Sequence, residues 1–192
     1  MKKAFTIIEV SILFVIFLTV AFLVAPLSLD DTMQAKNASR WRKVQNDFKN
    51  ICYSIETQKE QDEFDYNKAF ETVFLGEVKN DVEPYRITYM NGSFPSSEYR
   101  FSDFKQTNSK AVVSYKLFDT PQSGIIGLIM YDVNGSVGPN VWGKDVFGYN
   151  VYIDKFEPFC KNDDISSQKQ DCSKNGTGLC CSNYYLIGGS FN

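Results

Sequence analysis

The stretch MKKAFTIIEVSILFVIFLTVAFLVAPLSL, Met1–Leu29, decides how the rest of the chain is read. Two lysines come first, then one acid, Glu9, then twenty uncharged residues from Val10 to Leu29. As a helix rising roughly 1.5 Å per residue, such a run covers about 30 Å, the thickness of a bilayer core. Lys2 and Lys3 precede it, so the positive-inside rule keeps them cytoplasmic and sends the C-terminal part outward. A cleaved secretory signal needs a shorter apolar core and a small-x-small site, and Phe22-Leu23-Val24-Ala25-Pro26 lacks that pattern. The expectation is a single inner-membrane span over 5–29 with an extracytoplasmic domain beyond it. Glu9 is the anomaly. A carboxylate in a membrane span costs about 2.5–3.5 kcal/mol at the centre and less at the interface. An acid resting at headgroup depth is its plainest explanation.

Its neighbours give a sharper one. Lys2-Lys3-Ala4-Phe5-Thr6-Ile7-Ile8-Glu9 resembles the processing site of the type IV pilin superfamily, which includes the pseudopilins. The resemblance implies a leader over 1–4, cleavage between Ala4 and Phe5 by a prepilin peptidase, and N-methylation of Phe5. Glu9 is then the fifth mature residue. In the family that acid is taken to pair with the N-terminal amine of a neighbouring subunit and so sets the register of assembly. Pro26 falls where many pilins carry a helix-loosening proline. Two departures stand out: Ala4 replaces the usual Gly, and Leu18 stands where the family has a glycine. The implied partners are the prepilin peptidase and methylase, other pilin subunits in a homo- or hetero-filament, an inner-membrane assembly platform and membrane lipid. A type II secretion pseudopilin is the alternative within the family. A membrane-anchored binding protein that never polymerises is the alternative outside it.

Beyond Leu29 the chain turns polar. Trp41, Val44, Phe48, Ile51 and Ile55 step by three and four among Lys, Arg, Asn and Asp, the stripe of an amphipathic helix. The spacing predicts that the helix continues over 30–60, loosened at Pro26. The head over 61–192 opens on a polar loop, Gln58–Glu63, and a short helix over Asp65–Leu75 that Gly76 ends. Strands are expected over Tyr85–Met90, with a turn at Asn91-Gly92, then irregularly from Phe94 or Tyr99 to Phe104, and over Ala111–Phe118, Ile125–Tyr131 and Phe147–Ile153. Ile125–Tyr131 is apolar on both faces and reads as a central strand. The expected fold class is α+β: a long N-terminal transmembrane and amphipathic helix packed on an antiparallel β-sheet, the pilin-like layout.

The 192 residues carry a net charge of −3, which is no footprint for nucleic acid. They contain no histidine, so Ser-His and Cys-His pairs are excluded, and no enzyme is expected. Of the five cysteines, Cys160, Cys172, Cys180 and Cys181 lie in the tail over 159–192, and Cys52 stands apart. Zinc would want Cys-x-x-Cys pairs or histidine. Disulfides in an oxidising compartment are the better reading. Adjacent Cys180 and Cys181 rarely bond each other, so Cys160 and Cys172 are the obvious partners, in an order the sequence leaves open. Asp163 and Asp164 read as a solvated face.

One further stretch carries chemistry: Tyr131-Asp132-Val133-Asn134-Gly135-Ser136-Val137-Gly138-Pro139-Asn140, then Gly143-Lys144-Asp145. Asp-x-Asn-Gly opens many calcium loops, because alternate oxygen side chains face inward and Gly permits the turn. Asp132, Asn134, Asn140 and Asp145 are the candidate Ca2+ ligands. The departures from an EF-hand are an early Gly135 and a missing closing Glu, and a turn fixed by Asx hydrogen bonds is the simpler alternative. The string also resembles a loop between strands in pilin-like proteins, and the resemblance implies calcium there in some pseudopilins.

Overall fold

The computed structural model describes residues 11–20, 32–46, 78–107, 109–152 and 155–190. Six strands form one sheet in sequence order, each antiparallel to the next. They are β1 (Val78–Val82), β2 (Phe104–Thr107), β3 (Val112–Gln122), β4 (Ile125–Asp132), β5 (Val146–Tyr152) and β6 (Phe156–Pro158). Helical residues 11–20 (α1) and 32–46 (α2) precede the sheet, and α3 (Ile165–Asp171) and α4 (Cys181–Tyr184) follow it.

The centre of the sheet follows from alternation. Val113, Ile129, Phe147, Tyr149 and Val151 bury on one face, and Val112, Leu128, Met130 and Val146 on the other. Both faces are covered, which is why Ile125–Tyr131 reads apolar throughout. β3 and β4 turn at Ser123 and Gly124, both at positive φ (53° and 83°), the backbone twist that suits a two-residue hairpin. The register places Val113 opposite Tyr131 and Tyr131 opposite Phe147, so large side chains stack across three strands.

The first face is closed by α2 and by the tail. Ala38, Trp41 and Val44 project from α2 into a cluster with Ile129, Phe147, Tyr149, Cys181 and Tyr185. Trp41 stacks on Phe147 with ring centroids 4.9 Å apart, and its Nε1 donates to the Ser182 carbonyl at 2.7 Å. The second face is closed by an irregular segment and by Trp142. Tyr89, Trp142 and Phe159 are buried there, with Tyr85, Ile87, Tyr99 and Phe101 packed alongside.

The expected fold class is corrected. The described protein is dominated by a six-stranded antiparallel sheet with short helices. Among the described residues no helix is long and apolar enough to cross a membrane. α2 cannot extend a membrane span, because it carries Lys36, Arg40, Arg42 and Lys43 and spends its apolar face on the head. Of the predicted stripe, Trp41 and Val44 are buried, while Phe48, Ile51 and Ile55 lie outside the described residues. So do Pro26, Cys52 and the helix expected over Asp65–Leu75.

Further expectations change. Tyr85–Met90 is not a strand; its one β contact is a bridge from Thr88 to Val141. The segment returning to Phe104 holds only a short 3-10 turn at Ser97–Tyr99. Pro84 and Pro95 offer no N–H to a ladder, and the aromatic residues around them serve as a lid on the sheet. The tail, read as a stapled loop, contains α3 and α4. Asp164 is exposed, in keeping with a solvated face, and is also the N-cap of α3; its carboxylate accepts from the Ser166 and Ser167 hydroxyls and amides, which holds its pKa well below the usual range.

Candidate functional site

The loop from Asp132 to Asp145 joins β4 to β5 at one end of the sheet. Both carboxylates are fully buried. Asp132 closes β4; its Oδ1 accepts from the Asn134 amide at 3.2 Å and its Oδ2 from the Tyr85 hydroxyl at 2.7 Å. Asp145 lies just before β5 and folds the loop back on itself. Its Oδ2 accepts from the Asn140 amide at 2.8 Å and its Oδ1 from the Val141 amide at 2.7 Å. The loop is further tied by Val133, whose amide donates to the Asp145 carbonyl at 2.9 Å. Glycine is required at 135, where φ is 76° and a Cβ would collide with the Lys110 carbonyl. Asn140 sits at φ 53°, a conformation asparagine tolerates better than most residues.

Burial pushes Asp132 up to about 8, helped by the Asp145 charge and opposed by the Tyr85 hydroxyl and the loop amides. Burial also raises Asp145, and the Val141 and Asn140 amides hold it back. Tyr85 is raised by burial and by the carboxylate that it faces.

The two asparagines complete the arrangement. The Asn134 amide nitrogen donates to the Val137 carbonyl at 2.7 Å, and that of Asn140 to the Ser136 carbonyl at 3.4 Å. Their Oδ1 atoms are buried without a hydrogen-bond partner. A loop with two buried carboxylates and two unfilled amide oxygens is an oxygen-rich, electron-rich place, and the donor set suits a hard divalent cation. The structure places Asp132, Asn134, Asn140 and Asp145 in one loop, where the two orphaned amide oxygens are the atoms left for a cation and each carboxylate oxygen already accepts a hydrogen bond. Tyr85 is the member that local spacing does not show, because it lies 47 residues from Asp132 in sequence.

The tail buttresses this loop. Cys160 bonds Cys180 and Cys172 bonds Cys181, so the adjacent cysteines take different partners. Gly143 (φ 84°) and Gly178 (φ 81°) meet backbone to backbone, where a side chain on either would strike the other segment. Tyr185 donates from its hydroxyl to the Gly143 carbonyl at 3.3 Å. A third segment joins them: the Thr88 amide donates to the Asn140 carbonyl and the Met90 amide to the Thr177 carbonyl, each at 3.1 Å. Cys160, Asp163 and Cys180 also lie within ligand distance of one another, but both sulfurs are committed to a disulfide.

The processing and assembly residues Ala4, Phe5 and Glu9 lie outside the described residues. Helix α1, close behind them in sequence, is described. Every one of its residues is exposed, including eight large hydrophobics: Ile12, Leu13, Phe14, Val15, Ile16, Phe17, Leu18 and Val20. Compared with known proteins, the chain matches no family model, no curated protein and no solved structure.

Proposed function

We propose that this chain is a structural subunit of a type IV pilus-like filament, cut before Phe5 by a prepilin peptidase, methylated there, and assembled through its N-terminal segment. The observation that carries this reading is the juxtaposition of the Lys2–Glu9 motif with a run whose side chains the chain itself leaves uncovered. Eight large apolar side chains in water are a liability unless lipid or other subunits cover them. The head needs no such help, because both faces of its sheet are already closed. Two disulfides support a head that works outside the cytoplasm. A chain without histidine excludes the Ser-His and Cys-His pairs of the common nucleophilic enzymes.

The 132–145 loop favours a second reading, a type II secretion pseudopilin that holds calcium. Asp132, Asn134, Asn140 and Asp145 would hold the ion, which would supply charge neutralisation and rigidity rather than reactivity.

Mass spectrometry of the N-terminal peptide, from membranes and from sheared surface material, tests the proposal. The expected peptide starts at Phe5 and carries one added methyl group. Its presence in the sheared fraction favours a surface pilus over a short pseudopilus. A peptide that still starts at Met1 or Lys2 overturns the filament reading.

A further inference from the structure

Lys36, Arg40 and Lys43 recur at i, i+4 and i+7 on α2, so they stand in one row along the helix. All three are exposed, while Gln34, Asn37, Ala38, Trp41 and Val44 are buried on the head side. Residues 32–46 hold four cations and no carboxylate before Asp47. Arg42 is engaged by the fold, since its guanidinium donates to the carbonyls of Tyr185 (2.8 Å) and Gly189 (3.3 Å) at the end of the tail. The other three make no ion pair or hydrogen bond with a described group. Like charges at this spacing weaken a helix, and nothing among the described residues compensates for them. The row is also out of character for a chain whose net charge is −3.

We infer that this face of α2 docks on an anionic phospholipid surface. The helix lies on the outside of the head, so its basic row, about 10 Å long, can rest flat on such a surface. The same chain supplies the second component. Exposed apolar side chains on α1 together with a basic row give the pairing of buried area and charge that holds proteins to anionic lipid. Nucleic acid is a poor fit, since three cations on an acidic protein give little counterion release. The inference stands apart from the filament reading: a monomer awaiting assembly and a protein that never assembles would bind lipid in the same way.

The test uses the full chain and two vesicle populations of different density, one phosphatidylcholine alone and one phosphatidylcholine with phosphatidylglycerol. The protein is offered both at once, at low salt, and its distribution between them is measured. This ratio reads the charge contribution whatever the strength of apolar insertion. Each basic residue near an anionic surface adds roughly fivefold, so the ratio should fall on the order of a hundredfold in Lys36→Gln/Arg40→Gln/Lys43→Gln. Lys110→Gln/Lys169→Gln/Lys174→Gln removes equal charge elsewhere and should leave the ratio close to that of the wild type. Thermal unfolding of both variants verifies that the head is intact. Equal ratios for the two variants, or a wild-type ratio near one, overturn the inference. So does a wild type that ignores anionic vesicles and is retained by DNA, which would reassign the row to nucleic acid.

Discussion

Asp132 and Asp145 show how one pair of residues sets both the shape and the pH response of a loop. Each carboxylate accepts two hydrogen bonds and neither touches solvent, so burial opposes ionisation of both, and the Asp145 charge adds to this at Asp132. With Asp132 near 8 in the folded state and near its ordinary value when unfolded, the folded chain binds more protons between about pH 4 and 8. Stability is therefore highest at the acidic end of that window and falls as pH rises through it. In the presence of a chelator, the melting temperature should drop from pH 5 to pH 9, by a loss on the order of a few kcal/mol. Asp132→Asn keeps an acceptor for Tyr85 and removes the charge, so its curve should be flatter. A variant as steep as the wild type would refute the assignment. Added Ca2+ should raise the wild-type melting temperature at pH 8 and leave Asp132→Asn nearly unmoved. The four oxygen-bearing residues were legible in sequence because they fall close together along the chain and Gly135 marks the turn. Tyr85 was not, because its partnership is made by the lid folding over the sheet, and no local spacing encodes that.

At the scale of elements, α2 is held by one side chain above all. Trp41 is fully buried, stacks on Phe147, packs 4.9 Å from Tyr149 and bonds the Ser182 carbonyl. Trp41→Ala should cost roughly 3–5 kcal/mol, from lost contact and from a carbonyl left buried without its donor. Trp41→Phe should cost less, since it keeps much of the stack and loses the hydrogen bond. Denaturant midpoints of the two variants measure the difference; a Trp41→Ala midpoint within error of wild type would show that α2 is not part of the cooperative core. Trp41 and Val44 were readable from helical spacing, and β3, β4 and β5 from alternation and apolar runs. β1 and β6 were not, because edge strands of five and three residues carry too short a pattern. The stretch from Tyr85 to Phe104 misled for another reason. A lid of aromatic residues shows nearly the same alternation as a strand, and Pro84 and Pro95 were the cue that no ladder runs there.

The whole molecule divides its hydrophobic surface unequally. The sheet, α2 and the disulfide-closed tail bury most of theirs within the chain, and the described residues of α1 bury none. The apolar run around α1 was plain in the sequence, and the side chains described there are all exposed. The division predicts that assembly and folding are separable. A head that closes on itself should fold alike whether or not the N-terminal segment engages a neighbour. Glu9 is the sharpest probe, because a carboxylate beside so apolar a run is stable in a dry assembly only when a cation meets it. On the filament function proposed above, Glu9→Ala should abolish filaments in the sheared surface fraction. The amount of protein in the membrane fraction and the melting temperature of the head should stay at wild-type values. Electron microscopy and immunoblots of sheared material read the first effect, and thermal unfolding reads the second. Normal filaments from Glu9→Ala would remove the registry role from that acid. Lost filaments together with a destabilised head would make assembly and folding one event and refute the division itself.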